Sequence, residues 1–418
     1  MMVAGPDRSR INLGLSLVLF LLGLSLALAR VGALDRVGSI RLSAPYVMVD
    51  FRHVVYYPTH AFWDGINPYD SGRYMQRYPV EIPVSLYAPA TFLLFAPFAA
   101  LPVGLSSAAY FVLTLFLTAV LANAALRLAG WPAGISPTLA VSGLLLVSRP
   151  GHWNLLSGQV TIIVVLATYC ALIYYRSAPR LAGIGLALAL LKPSFGIPLI
   201  PLLLARRAVR ATAWGVGLAA ALNLGVMTIL IGRQGGIAPF LKTVTQSVRA
   251  FAANPDTQPI LGIWRVDLTA LVSRILDYPL SPGAGIILTA VVLIPVMYLS
   301  RRLNAGAGSR QVEVIDALTC CAVLLSLFHQ AYDLLLLAWP AAALAKAIHE
   351  RAPEAIYIVQ GVLFAILALN YVTTQSVLTA YALSPGPRLG VLTANGLALA
   401  GLFGLYSIEA SRFQTAGT

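Results

Sequence analysis

Long apolar runs recur from one end of the chain to the other, each bounded by short stretches of Arg, Pro, Tyr and Gly. They predict helices at about 12–29, 105–127, 134–148, 159–175, 180–191, 194–205, 211–231, 283–300, 312–327, 331–347, 354–373 and 389–410. Most are long enough to cross the hydrocarbon core of a bilayer. The run at 180–191 is short and ends at Lys192-Pro193, which predicts a broken or tilted helix. The first run could be a secretory signal with Ala27-Leu28-Ala29 as a cleavage-like end, but its length points to an uncleaved signal anchor.

Composition agrees with this pattern. The 418 residues are 59% hydrophobic and 10% charged, with a mean hydropathy of +0.81. Soluble domains carry roughly a quarter charged residues, so this chain is solvated by lipid and by its own helices as one integral membrane domain, 1–418. A transmembrane barrel would show short alternating segments, which are absent. The net charge of +13 comes from small Arg groups between apolar runs: Arg8 and Arg10, Arg176 and Arg180, Arg206, Arg207 and Arg210, Arg301, Arg302 and Arg310. This is the positive-inside pattern of cytoplasmic loops, whereas nucleic-acid binding needs a continuous basic face. Cys170, Cys320 and Cys321 all fall in apolar runs, so neither a disulfide frame nor a thiolate metal site is expected.

A thirteenth apolar piece, 88–101, is too short to cross easily, and counting it would place the Arg groups on the wrong side. It is expected to be an in-plane or re-entrant helix. The reading is then an all-α polytopic protein of the plasma membrane with about twelve transmembrane helices and both termini cytoplasmic. Two long polar segments face outward: 31–88, extended to 104 by the in-plane helix, and 233–282. Polar span ends on the same side (Arg149 to Asn154, Lys192 to Ser194, Phe328 to Asp333) suggest the rim of a single cavity.

The first outward segment holds Asp35, Asp50, Asp64, Asp70 and Glu81. Asp64 and Asp70 read as turn residues and Asp35 as interfacial. Asp50 differs: it sits in the aromatic and apolar stretch Tyr46 to Phe51, where partial desolvation would raise its basicity and suit a general base. His329 and Asp333 are four apart, which would place both on one helix face toward the protein interior or a water-filled cavity; His329 could equally cap the span or simply bond to Asp333. Lys192, one of three lysines, could bind an anion or snorkel to the interface, and Arg149, Arg265 and Arg274 carry the same ambiguity. No metal-ligand spacing, P-loop, dinucleotide fingerprint or nucleophile elbow occurs, so neither metal nor cofactor is expected.

The ordered set Asp50, Gly65-Ile66-Asn67-Pro68-Tyr69-Asp70, Tyr87-Ala88-Pro89, Ser157-Gly158-Gln159-Val160, Leu191-Lys192-Pro193 and His329-Gln330-Ala331-Tyr332-Asp333-Leu334 resembles glycosyltransferases of the GT-C fold. It is most similar to family 87, polyprenyl-phosphate-dependent mannosyltransferases that include a mycobacterial phosphatidylinositol-mannoside mannosyltransferase. Two departures stand out. Ala88 replaces the first Pro of a Tyr-Pro-Pro element, and Thr161 replaces a frequent Asn.

The resemblance implies an inverting transfer of a hexose, mannose in the family, from a polyprenyl-phosphate sugar to a hydroxyl of a membrane lipid or lipid-linked glycan. By that resemblance Asp50 is the base at the outer membrane surface. Lys192, Arg265 and His329 would serve the leaving phosphate, with His329 also catalytic. His53, Tyr56, Tyr57, Asn67, Tyr69, Tyr87, Gln159 and Asp333 would line the substrate groove, and Trp63 with them. Single aromatic residues there could equally be interface anchors. The rival readings are another GT-C transferase, using arabinose or glucose, and a lipid or sugar transporter or flippase.

Overall fold

The computed structural model of the protein describes residues 6–37, 47–80, 87–302, 308–350, 354–373 and 385–415. Among these residues the fold is built from helices, with one isolated antiparallel bridge between Arg265 and Gln330. A helix stands at each position the hydrophobic pattern predicts: α1 (Pro6–Val37), α6 (Val103–Leu128), α7 (Ile135–Val147), α9 (Thr161–Tyr174), α10 (Pro179–Ala189), α11 (Pro193–Ala205), α12 (Val209–Arg233), α15 (Pro282–Arg301), α16 (Ser309–Ser326), α17 (Ala338–Glu350), α18 (Ala355–Leu369) and α19 (Pro385–Thr415). Seven spans among the described residues are long and apolar enough to cross a bilayer. Many large apolar side chains remain exposed on them, among them Val18, Phe116, Ile286 and Val362. Such a surface is stable only in lipid, and the protein is a multi-pass membrane protein.

Between these long helices lie short ones: α2 (Tyr57–Trp63), α3 (Ser71–Arg77), α4 (Thr91–Leu94), α5 (Ala96–Ala99), α8 (Arg149–Ser157), the amphipathic α13 (Ile237–Ala253) and α14 (Leu268–Ile275). The apolar piece 88–101, expected as one helix, is two single turns broken at Phe95. Pro97, at the start of α5, has no amide hydrogen to continue the pattern of α4.

Packing follows the close approach of small residues. α1 crosses α7 where Gly23 meets Gly143; a Cβ on Gly143 would lie 2.8 Å from the Leu19 carbonyl oxygen. α10 is held between α9 and α12, while α16 packs against α15 and α19. The two ends of this bundle differ. At one end Arg206, at the C-terminus of α11, makes a buried ion pair with Asp316 and donates to Thr319 at 2.7 Å, and Arg310 pairs with Glu409 at 2.7 Å. These arginines, read from sequence as loop charges, are in part structural clamps. At the opposite end of α11, about 20 Å away at ~1.5 Å per residue, stands Lys192.

Candidate active site

Asp50 opens a π-helical turn, Phe51–Tyr56, that runs directly into α2. Pro58 cannot donate an amide hydrogen, and the turn before it is wound wide; such π turns recur at functional sites. The Asp50 carboxylate does not cap its own helix. Its charged form is favoured by the side chains of Ser157, the last residue of α8, and Gln159 just beyond it.

The backbone around Asp50 is anchored on several sides. Met48 donates its amide hydrogen to Leu156 O at 2.7 Å, and Phe51 stacks on Tyr110 of α6 with centroids 4.3 Å apart. Arg52 Nε donates to Ser107 Oγ at 3.2 Å, and Tyr74 Oη to His53 O at 3.0 Å. Gly158 makes the approach possible. Its φ of +73° ends α8 in the left-handed region, and a Cβ there would sit 2.6 Å from that of Phe51.

Gln159 is oriented by Tyr87, whose hydroxyl donates to Gln159 Oε1 at 2.8 Å. With its oxygen so engaged, the amide nitrogen of Gln159 is the end left to donate to Asp50. Tyr87 is placed by Tyr69, which donates to the Tyr87 carbonyl at 3.2 Å. The next amide, of Ala88, donates to Leu191 O at 2.9 Å, joining this segment to the residue before Lys192.

Lys192 sits in the break between α10 and α11, imposed by Pro193. Its ammonium makes a buried ion pair with Asp333, lies 3.3 Å from Thr161 Oγ1, and faces the ring of Tyr332 at 4.7 Å. Asp333 is saturated. Besides Lys192 it accepts from Thr161 Oγ1 at 2.8 Å, from the Gln330 amide at 3.0 Å, and pairs with His329 Nδ1 at 3.0 Å. His329 Nε2 lies 3.1 Å from Ser194 O, so both ring nitrogens of this fully buried side chain face acceptors within the protein.

His329 and Asp333 meet, but not on one helix face. His329 precedes a 3-10 turn, Ala331–Leu337, and Gln330 and Asp333 form a capping box that folds the carboxylate back toward the histidine. Flanking backbone bonds, Val266 N to His329 O at 3.0 Å and Ala331 N to Trp264 O at 2.8 Å, clip the second long polar segment onto this turn.

Asp50, Tyr87, Gln159, Thr161, Lys192, His329 and Asp333 are thus gathered at one end of the bundle. Burial raises the Asp50 carboxyl above its usual range, against the opposing effects of Gln159, Ser157 and Lys192. Burial likewise raises the Tyr87 phenol, and Asp50 adds to the effect. Burial beside Arg52 lowers the His53 imidazole to about 4, so this ring is neutral.

Other residues singled out in the sequence take packing positions. Arg265 lies beside the His329 turn, but its side chain is engaged elsewhere, bidentate to Asp267 at 2.9 and 2.7 Å and donating to Thr257 O at 2.8 Å. Tyr56 bonds Leu101 O at 2.7 Å; Asn67 Oδ1 accepts from the Tyr69 amide at 3.0 Å. Tyr57 packs beside Tyr56 and Tyr78, and Trp63, exposed, donates to Phe92 O at 3.3 Å. Arg274 is buried among backbone carbonyls, donating to Leu392 O at 2.7 Å. Glu81 and Tyr46 lie outside the described residues. Sequence reasoning missed Ser157 and Tyr332; both belong to motifs that drew attention, Ser-Gly-Gln and His-Gln-Ala-Tyr-Asp, but hydroxyls carry no distinguishing pattern. Among the described residues, no group of three or more His, Cys, Asp or Glu side chains is placed to share a metal ion.

A multi-pass helical membrane protein with a base-like carboxylate held beside a buried cation is the framework on which the comparisons bear. Residues 86–325, more than half of the chain, match the model of glycosyltransferase family 87. The chain belongs to that family and is a membrane glycosyltransferase. The match takes in Tyr87, Gln159, Thr161 and Lys192, whereas Asp50, His329 and Asp333 lie beyond its limits. No curated protein and no solved structure matches the chain.

Proposed function

We propose that the protein transfers a hexose, mannose, from a polyprenyl-phosphate sugar to a hydroxyl group of a membrane lipid or lipid-linked glycan, with inversion and with Asp50 as general base. The observation that carries this reading is the setting of Asp50. A half-buried carboxylate of raised basicity, its charged form favoured by Gln159, Ser157 and an organised Lys192, stands at the end of a helical bundle embedded in lipid. A lipid-borne donor and acceptor meet at such a surface, because a polyprenyl chain is a poor aqueous solute.

In the step, Asp50 takes the proton of the acceptor hydroxyl as its oxygen bonds to the anomeric carbon. The bond from that carbon to the phosphate oxygen breaks, and the electron pair leaves on a polyprenyl phosphate monoester. Attack opposite the leaving group inverts the anomeric configuration. Lys192 supplies positive charge near the reacting centre, and Asp333, fixed by His329, Thr161 and the Gln330 amide, holds Lys192 in place. His329 is a positioning residue in this scheme. The site faces the extracytoplasmic side of the plasma membrane, in keeping with the cytoplasmic bias of the loop arginines.

The test uses purified protein with polyprenyl-phosphomannose and a panel of lipid acceptors. Transfer is expected with the wild type, and loss of about 100- to 10,000-fold in Asp50→Asn. Full activity in a folded Asp50→Asn variant removes Asp50 as base. Movement of the lipid across a vesicle without a glycosidic product would replace the transferase reading with transport.

A further inference from the structure

A second group of cations lies at the far end of α8 from Ser157. Arg149 is buried and donates one bond from Nη2 to Thr373 O at 3.0 Å; among the described residues its buried Nε and Nη1 have no hydrogen-bond partner. Its guanidinium lies 5.1 Å from the ring of Trp264. Trp264 stacks on Trp153 at 4.7 Å, and Arg30 of α1 lies 5.9 Å from the rings of both Trp153 and Tyr371. Two arginines therefore share one aromatic pair, and among the described residues no carboxylate forms an ion pair with either.

A desolvated cation with open donors beside a like charge is unfavourable unless an anion completes it. The three side chains considered for the donor phosphate already have partners within the protein: Lys192 and His329 share Asp333, and Arg265 has Asp267. The residues on either side of Arg149, Ser148 and Pro150, also line an apolar cavity of about 250 Å³ that extends along Leu334, Leu337, Phe364 and Ala368. The cavity wall is apolar, and Arg149 lies between two of the residues that line it. That is the charge distribution of a phosphate carried on a hydrocarbon chain.

We propose that Arg149 and Arg30, held by the Trp153–Trp264 stack, seat the phosphate of the polyprenyl-phosphate donor, whose chain enters the apolar cavity beside them. The assignment rests on the donor class proposed above. α8 spans the gap between the two groups: Ser157 at Asp50 and Arg149 at the phosphate are eight residues apart, about 12 Å at ~1.5 Å per residue. The sugar would lie between them, over the Trp153 turn.

The experiment measures binding of farnesyl phosphate and of farnesol to the full-length protein in detergent, read by tryptophan fluorescence. The wild type is expected to prefer the phosphate. Arg149→Gln is expected to weaken farnesyl phosphate by roughly 10- to 100-fold and leave farnesol unchanged, with Arg149→Lys in between and Arg30→Gln weaker in effect. Wild-type affinity for farnesyl phosphate in Arg149→Gln, or equal binding of phosphate and alcohol by the wild type, overturns the seat. Competition by a short-chain phosphatidylglycerol as strong as that by farnesyl phosphate assigns the cations to a phospholipid headgroup and overturns the donor assignment. The two proposals fail separately. Loss of transfer in Asp50→Asn with unchanged phosphate binding in Arg149→Gln removes only the seat. Full transfer in Asp50→Asn with phosphate-selective binding that Arg149→Gln abolishes removes only the base.

Discussion

Lys192 and Asp333, 141 residues apart, form a buried ion pair whose carboxylate has no acceptor position left over. Removing one partner strands the other. Lys192→Met is expected to destabilise the protein by about 3–5 kcal/mol, because Asp333 stays buried and loses its countercharge. The double variant Lys192→Met/Asp333→Leu is expected to recover most of that loss in detergent unfolding, without recovering transfer. A Lys192→Met protein as stable as the wild type would show that the pair is not what organises this turn.

Asp50 has its carboxyl raised by burial above the ordinary value of 3.8. A general base works deprotonated, so activity rises with pH as the proton leaves, and the raised value moves that rise to higher pH. The acidic limb of kcat/KM is therefore expected above the range of a free aspartate. Gln159→Leu removes a stabilising donor to the charged form and is expected to move the limb higher still. An acidic limb that ignores this substitution would detach Gln159 from the base.

Gly158 combines a left-handed backbone with a 2.6 Å approach to Phe51. Gly158→Ala is expected to cost more than the roughly 0.4–1 kcal/mol typical of a compatible exchange, with the sign reversed to destabilisation. The displaced element is the one carrying Asp50, so kcat should fall further than thermal stability alone accounts for. A variant with unchanged kcat would argue that the approach is slack.

Tyr87→Phe deletes the hydroxyl that fixes Gln159 Oε1. The Gln159 amide can then turn over and present oxygen to Asp50 in place of nitrogen. A loss of about 1 kcal/mol, roughly fivefold in kcat/KM, is expected. In Gln159→Leu the same Tyr87 change should have almost no effect, and a double-mutant cycle that shows no coupling would refute the contact.

The helices were readable from hydrophobic period and length, since lipid leaves the chain few other ways to satisfy its backbone. Motif order also pointed to Tyr87, Gln159, Lys192 and the His329–Asp333 turn, which the fold gathers beside Asp50. What the sequence could not convey was partnership. Nothing in Leu-Lys-Pro indicates that Lys192 answers to Asp333, because the pairing depends on how α9, α11 and the 3-10 turn pack. For the same reason Arg265, two residues from Asp267, looked available and is bound, while Arg149, read as ambiguous, is a buried cation with two open donors among the described residues. The 88–101 piece reads as one apolar run in sequence, whereas Pro97 divides it into two short turns.

The clip between Trp264–Val266 and His329–Ala331 bears on the order of synthesis. A ribosome delivers Asp50 early, yet Lys192 cannot be settled until Asp333 has emerged and the 264–266 stretch has joined it. On the proposed scheme a nascent or truncated chain carries Asp50 without a settled Lys192, so transfer is expected only from chains that include Asp333. Activity would then report that insertion has run at least as far as the tenth predicted span.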